Sequence, residues 1–252
     1  MRDRKRAVRA KAMDEEYYSY IKKFFGRWAP VYDITSVFLA GVRDRVVEFT
    51  AAEAGSKMLD VCTGTGKQAF AFAEKGFDVT GIDLSKDMLK VAAAKNRYEN
   101  AGFKTADAAD MPFEDEHFDV SCVSFGLHDM PPAAREKVLK ETARVTRPGG
   151  AVTIVDYALP RNRLRRCLIY RFIRLYESKY YPGFISSDIR ALLRGSGIEV
   201  EKELPVLFGA GRILKCRRNV HSGSGHSRSG YSRSGYSRSG TRRENESNDR
   251  SG

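Results

Sequence analysis

Short apolar runs recur along residues 57–157, and each is separated from the next by a stretch of helical periodicity. Lys57-Met-Leu-Asp-Val61 reads as a buried strand, and Gln68 to Glu74 as a helix ending at Gly76. Asp78-Val-Thr-Gly-Ile-Asp83 is a second strand, followed by a helix from Lys86 to about Asn100 that Ser85 caps. Thr105-Ala-Asp107 is a short third strand and Phe118 to Phe125 a fourth. Pro131-Pro132 opens a helix running to Val145, Arg147-Pro-Gly-Gly150 stops it, and Ala151 to Tyr157 is a fifth strand. Strands that alternate with helices of this length predict an α/β protein built on a doubly wound, mostly parallel sheet.

The flanks follow other patterns. From Asp14 a helical period puts Tyr17, Tyr20, Ile21, Phe24 and Phe25 on one side, ahead of Trp28 to Asp33. Such a segment packs into the core or closes as a lid over a ligand. A further helix spans Ile34 to Ala52. Asn162 to Ser178 forms an amphipathic helix whose apolar row includes Leu164, Leu168, Phe172 and Leu175, bordered by Arg163, Arg166, Arg171 and Arg174. That row suits a core helix, and equally a helix resting on an anionic membrane surface. After a helix capped by Ser186 or Ser187, Glu199 to Phe208 and Arg212 to Arg217 flank Gly209-Ala-Gly211 as a hairpin, which turns one edge of the sheet antiparallel.

Composition divides the 252 residues into three parts. Residues 1–13 are a basic leader, 14–218 a single domain, and 219–252 a Ser/Arg/Gly-rich tail whose repeated HSRSG and YSRSG units have too few apolar residues to repay ordering. The formal charge of +12 points to an anionic partner, whether headgroup, nucleic acid or acidic metabolite. Cys62, Cys122, Cys167 and Cys216 show no CxxC spacing, so neither a metal site nor a disulfide framework is expected. No apolar run approaches the roughly 18 residues of a membrane span, which predicts a cytoplasmic protein, soluble or peripheral at a membrane.

The chemistry gathers at Thr63-Gly64-Thr65-Gly66, a turn between a strand and a helix N-terminus. Glycine allows the backbone to approach a ligand there, which makes a nucleotide site. Gly64-x-Gly66-x-x-Ala69 with Asp83 about twenty residues on fits the dinucleotide fingerprint, so an NAD-dependent oxidoreductase stands beside an S-adenosylmethionine site. Asp60, an acid inside the first strand, favours the cationic ligand. Asp83 at the end of strand 2 can accept both hydroxyls of a ribose, and Asp107-Ala108 at the end of strand 3 can take adenine.

Taken together, LDVCTGTG, GIDLS, DAADMPF, FDVSCVSFGL and RPGG resemble the class I S-adenosylmethionine-dependent methyltransferases. The pattern FGxxAPxYD at residues 25–33, with SFGL at 124–127, resembles the ubiquinone and menaquinone C-methyltransferase branch. The resemblance implies a Rossmann-like seven-stranded sheet with an antiparallel C-terminal strand, and S-adenosylmethionine as cofactor. By position it places Asp60, Gly64 and Gly66 around the methionine moiety, Asp83 and Leu84 on the ribose, Asp107 and Ala108 on the adenine, and Ser124 below the sulfonium. His128-Asp129 stands where that branch has Arg-Asn. His128, at the end of strand 4, is the expected base, with Asp129 orienting it and Tyr32 closing over the methyl group. The acceptor expected is small or lipid-like, a quinone precursor or a phospholipid headgroup. Against this stands a nucleic-acid-binding protein or RNA methyltransferase that uses the Arg/Tyr/Gly tail.

Overall fold

The computed structural model describes residues 17–19, 21 and 40–220. The leader, the tail beyond Val220 and most of the aromatic segment, Tyr32 included, lie outside the described residues. Tyr17, Tyr18 and Ile21 belong to a helical segment ahead of α1 (Ala40–Thr50). The chain then alternates β1 (Lys57–Val61), α2 (Lys67–Glu74), β2 (Asp78–Asp83), α3 (Lys86–Lys95), β3 (Ala101–Thr105), β4 (Phe118–Ser124), α4 (Pro132–Val145) and β5 (Thr146–Tyr157). It ends with α5 (Arg163–Arg174), α6 (Tyr181–Ile185), α7 (Ile189–Gly195), β6 (Ile198–Val206) and β7 (Gly211–Arg218).

Seven strands form one sheet in the order β3-β2-β1-β4-β5-β7-β6. β1 to β5 run parallel, and β7 is antiparallel to both β5 and β6. β1 is buried from Met58 to Val61 because helices cover both faces of the sheet. Met58 joins Val79, Val120, Phe72 and Val46 in one core, while Leu59 and Val61 join Ile82, Val123, Leu139 and Phe184 in the other. The strand order reverses beside β1, so the connections that follow β1 and β4 pass to opposite faces of the sheet and open the crevice where doubly wound sheets bind ligands.

Local caps match the sequence: the Ser85 side chain accepts the Met88 N–H at 3.3 Å at the start of α3, and Pro132 is the first residue of α4. Several boundaries differ. α3 stops at Lys95, and β3 ends at Thr105, leaving Asp107 just past it. The Arg147-Pro-Gly-Gly150 segment does not separate α4 from β5 but lies within β5, with a register shift against β4 between Phe118 and Val120. Asp188, not Ser186 or Ser187, caps α7, its carboxylate accepting the Ala191 N–H at 3.0 Å; the two serines bond back to Pro182 and Phe184 carbonyls. The hairpin docks through its second strand, so the antiparallel β7 lies inside the sheet and β6 forms the edge.

Candidate active site

β1 carries Asp60 into the centre of the crevice. Beyond it Cys62 takes a left-handed conformation with φ 58°, a place where glycine is the unstrained residue. The turn is tied down by the Thr63 N–H to the Ile82 carbonyl at 2.9 Å and the Gly66 N–H to the Thr63 carbonyl at 3.0 Å. Thr63 Oγ1 donates to Asp60 Oδ2 at 2.6 Å, while Asp60 Oδ1 is buried with no hydrogen-bond partner. Burial pushes the Asp60 carboxyl up to about 7, against the hydrogen bond from Thr63 and the smaller effect of the Ala69 backbone N–H. An unsatisfied buried acceptor costs about 1–3 kcal/mol, which a donor from a ligand would recover. Asp60 lines the same pocket as Thr63 and Gly64, so the site fits an ammonium such as that of the methionyl group.

The two turn glycines differ in role. Gly64 has φ 57°, and a Cβ there would meet nothing within 4 Å. Gly66 has φ 81°, and its Cβ would lie 2.9 Å from Phe70, 3.0 Å from Phe103 and 3.1 Å from Ala92. Gly66 therefore does not border the pocket as expected. It lets α2 pack closely behind it.

Two further carboxylates stand at successive strand ends. Asp83 accepts the Gly64 N–H at 2.9 Å and the Ser85 N–H at 2.8 Å; burial raises its pKa in spite of these donors. Asp107 accepts the Ala109 N–H at 2.8 Å and the Tyr18 hydroxyl at 2.7 Å. Tyr17, Tyr18 and Ile21 line the pocket, and these three residues also pack into the core. Leu84, Ala108 and Ser124 line it too.

The opposite wall follows from the end of β4. After Phe125, left-handed with φ 51°, a single 3₁₀ turn at Leu127–Asp129 brings Asp129, Met130, Ala134 and Val138 to the pocket. Arg135 fixes this turn by donating to the Leu127 and Met130 carbonyls at 3.0 and 2.8 Å. Asp129 borders the pocket and His128 does not. The His128 Nδ1 pairs with Asp156 Oδ1 at 2.8 Å, and Nε2 faces Glu177 Oε2 at 3.2 Å and Asp129 Oδ2 at 3.5 Å. Burial alone would depress the His128 pKa, but Asp156 and Asp129 with the bonds to Asp156 and Glu177 hold it well above the ordinary value. Glu177 is held low by His128 and by the Tyr157 hydroxyl, which overcome its own burial. Asp129 is raised by burial, with His128 opposing.

This arrangement bears on the expected order of the pair. Both ring nitrogens of His128 already face carboxylates and the residue does not border the pocket, so it is poorly placed to take a proton from a ligand there. Asp129 is the titratable group that faces the pocket on this wall. The ligand atoms of His128, Asp129 and Glu177 all lie within 4.8 Å of one another, close enough for a metal ion, yet both imidazole nitrogens already face carboxylates and the cluster is complete as an ion-pair network. Asp156 and Glu177 escaped the sequence reading. Asp156 offered a signal, an acid in a buried strand like Asp60; Glu177 offered none.

A family model described as a methyltransferase domain matches residues 58–150. The demethylmenaquinone methyltransferase of Renibacterium salmoninarum is 36% identical over 145 residues, 56% of this chain and 60% of that protein. The chain thus spans less than two thirds of that relative. An uncharacterized methyltransferase of Synechocystis is 31% identical over 173 residues, covering 69% of this chain and 81% of the relative. Among solved structures, a chain from the complex of the Haloferax volcanii Trm112 methyltransferase activator superposes with a TM-score of 0.65 at 18% identity, covering 81% of this chain and all of that one. At that identity the likeness is one of fold.

Proposed function

The chain belongs to the class I S-adenosylmethionine-dependent methyltransferases, and we propose that it transfers a methyl group to a ring carbon of a quinone-like acceptor in its reduced, hydroxylated form. The observation that carries this reading is a single pocket with Asp60, Asp83 and Asp107 on one side and Asp129 among Met130, Ala134 and Val138 on the other. The first set suits a cationic nucleoside; the second suits an apolar ring with one ionisable hydroxyl. The demethylmenaquinone methyltransferase named above supports the acceptor class.

When bound, the cofactor supplies an electrophilic methyl group on a sulfonium. Asp60 and the Thr63-Gly64 turn hold the methionyl end, Asp83 and Leu84 the ribose, Asp107 and Ala108 the adenine, with Ser124 beside the sulfonium. Asp129 takes the proton from the acceptor hydroxyl, which raises electron density at the neighbouring ring carbon. This carbon bonds the methyl as the methyl–sulfur bond breaks, and then releases its own proton to solvent to restore the aromatic ring. Burial lifts the Asp129 pKa towards that task, and the neighbouring His128 opposes the rise. Tyr17, Tyr18 and Ile21 exclude water and align the ring.

The test is transfer of labelled methyl from S-adenosylmethionine to a naphthoquinol, to phosphatidylethanolamine vesicles and to an RNA oligonucleotide, assayed in parallel. Label on the quinol ring is the expected result. Label only in the phospholipid headgroup or only in RNA would overturn the acceptor class.

A further inference from the structure

α5 has the sequence RLRRCLIYRFIR, with five arginines and no acidic residue. Asn162 caps it by accepting the Arg165 N–H at 3.1 Å. The helix is anchored through few side chains: Ile173 is buried, and Tyr170 stacks on the buried Tyr181 at 5.9 Å. The rest of its apolar row faces solvent, with Leu164, Leu168, Phe172, Leu175 and Tyr176 between 55% and 84% exposed. The stripe read as a core face is therefore largely outside the core. A contiguous apolar patch of this kind marks an interaction surface, not ordinary scatter.

A second feature stands beside it. Phe208, at the turn between β6 and β7, is 98% exposed. It and Leu207 have φ of 55° and 51°, a left-handed conformation that bulky residues rarely adopt. A strained backbone that holds an aromatic ring in water is a device for presenting that ring. The next residue, Gly209, backs onto Pro160: a Cβ on it would come within 3.2 Å of the proline Cβ. The tip thus adjoins the segment that leads into α5.

We propose that α5 and the Phe208 tip form a surface that rests on an anionic lipid bilayer, with α5 in the plane of the interface. Charge complementarity selects this occupant: arginines border the apolar row throughout, their stems can lie along it, and no carboxylate on the helix repels lipid phosphate. Among the described residues no helix is long and apolar enough to cross a membrane, so the contact is peripheral. Glu177, just past the end of α5, holds His128, which ties this surface to the acceptor wall by a short run of chain.

The full chain is to be co-sedimented with phosphatidylglycerol-containing and pure phosphatidylcholine vesicles at low and high salt. Each arginine at an anionic surface multiplies partitioning by about fivefold, so binding should be strong to the anionic vesicles and fade with salt. L168D/F172D and F208D should each reduce it by about tenfold or more, with melting temperature unchanged, since these side chains are already in water. Binding that is absent in the parent chain overturns the proposal. So does binding unchanged in the variants, which would place it on basic residues elsewhere. A dimer in gel filtration that L168D/F172D dissociates, with equal vesicle binding, would assign the surface to a second copy. Methylation of a water-soluble quinol, measured alongside, keeps the outcome separate from that of the proposed reaction.

Discussion

His128 and Asp156 form the innermost pair of the acceptor wall: Nδ1 donates to Oδ1 at 2.8 Å, and the Asp156 carboxylate also takes the His128 backbone N–H at 3.2 Å. The pair fixes both the ring and the turn that carries Asp129. His128→Gln should lower turnover by about 10- to 100-fold and shift the acid limb of the rate profile to higher pH, because the cation that restrains the Asp129 pKa is gone. Asp129→Asn should cost about two to four orders of magnitude and abolish that limb. If the limb survives in Asp129→Asn and vanishes in His128→Gln, the roles are reversed.

Asp60 makes cofactor affinity depend on pH. Its carboxyl titrates near 7 in the ligand-free protein, and a cationic ligand favours the charged form. Affinity for S-adenosylmethionine should therefore strengthen as pH rises towards 7, by up to about tenfold per unit, and level off above it. Calorimetry across this range checks the slope, which Asp60→Asn should flatten. Stability without ligand runs the other way. The folded pKa lies above the unfolded value of 3.8, so this group's contribution is fully present below that value and lost as pH rises through about 7.

Asp83 serves the turn as well as the ribose. Asp83→Ala should weaken cofactor binding by about 1.5–3 kcal/mol, and it leaves the Gly64 and Ser85 N–H groups without their acceptor. A lower melting temperature should accompany the lost affinity. Asp83→Asn, which retains one acceptor oxygen, should recover part of the stability but little of the affinity. Unchanged affinity in a folded Asp83→Ala would remove the ribose assignment.

Gly64 and Gly66 should fail in different ways. Gly64→Val puts its side chain into the open pocket at a left-handed position, a strain of roughly 1–2 kcal/mol, and should fold yet bind no cofactor. Gly66→Val drives its side chain against Phe70, Phe103 and Ala92 and should fold poorly or not at all. Thermal melts and cofactor titration of both variants separate the two effects.

What the sequence made legible was local. Period and turn chemistry found β1, β2, β4, the Ser85 cap and Pro132, because each is decided within a few residues. Asp60 could be singled out as an acid inside a buried strand, and Asp83 and Asp107 because a parallel sheet sends its strand ends to one side. Strand order at the hairpin was hidden, since either strand could meet β5 and the choice is made by packing across the sheet. The partners of His128 were hidden for the same reason: Asp156 is 28 residues away. The apolar row of α5 looks alike on a core helix and on an exposed one, and only its surroundings tell them apart. Gly66 fits the nucleotide pattern but faces Phe103, a neighbour that no local motif reveals.

The interior place of β7 bears on how the protein is made. β5 and β6 have no direct pairing with each other, and both wait for the eight residues Gly211–Arg218 that bridge them. During synthesis β1 to β5 can pair as they leave the ribosome, but the exposed edge of β5 stays open until nearly the whole domain has emerged. The nascent chain therefore carries an unpaired strand edge late into translation, a point where chaperone capture competes with misassembly. Arrested chains that end before Gly211 should remain protease-sensitive, whereas those that expose Arg218 should become resistant. Resistance already present in the shorter chains would show that the five parallel strands suffice.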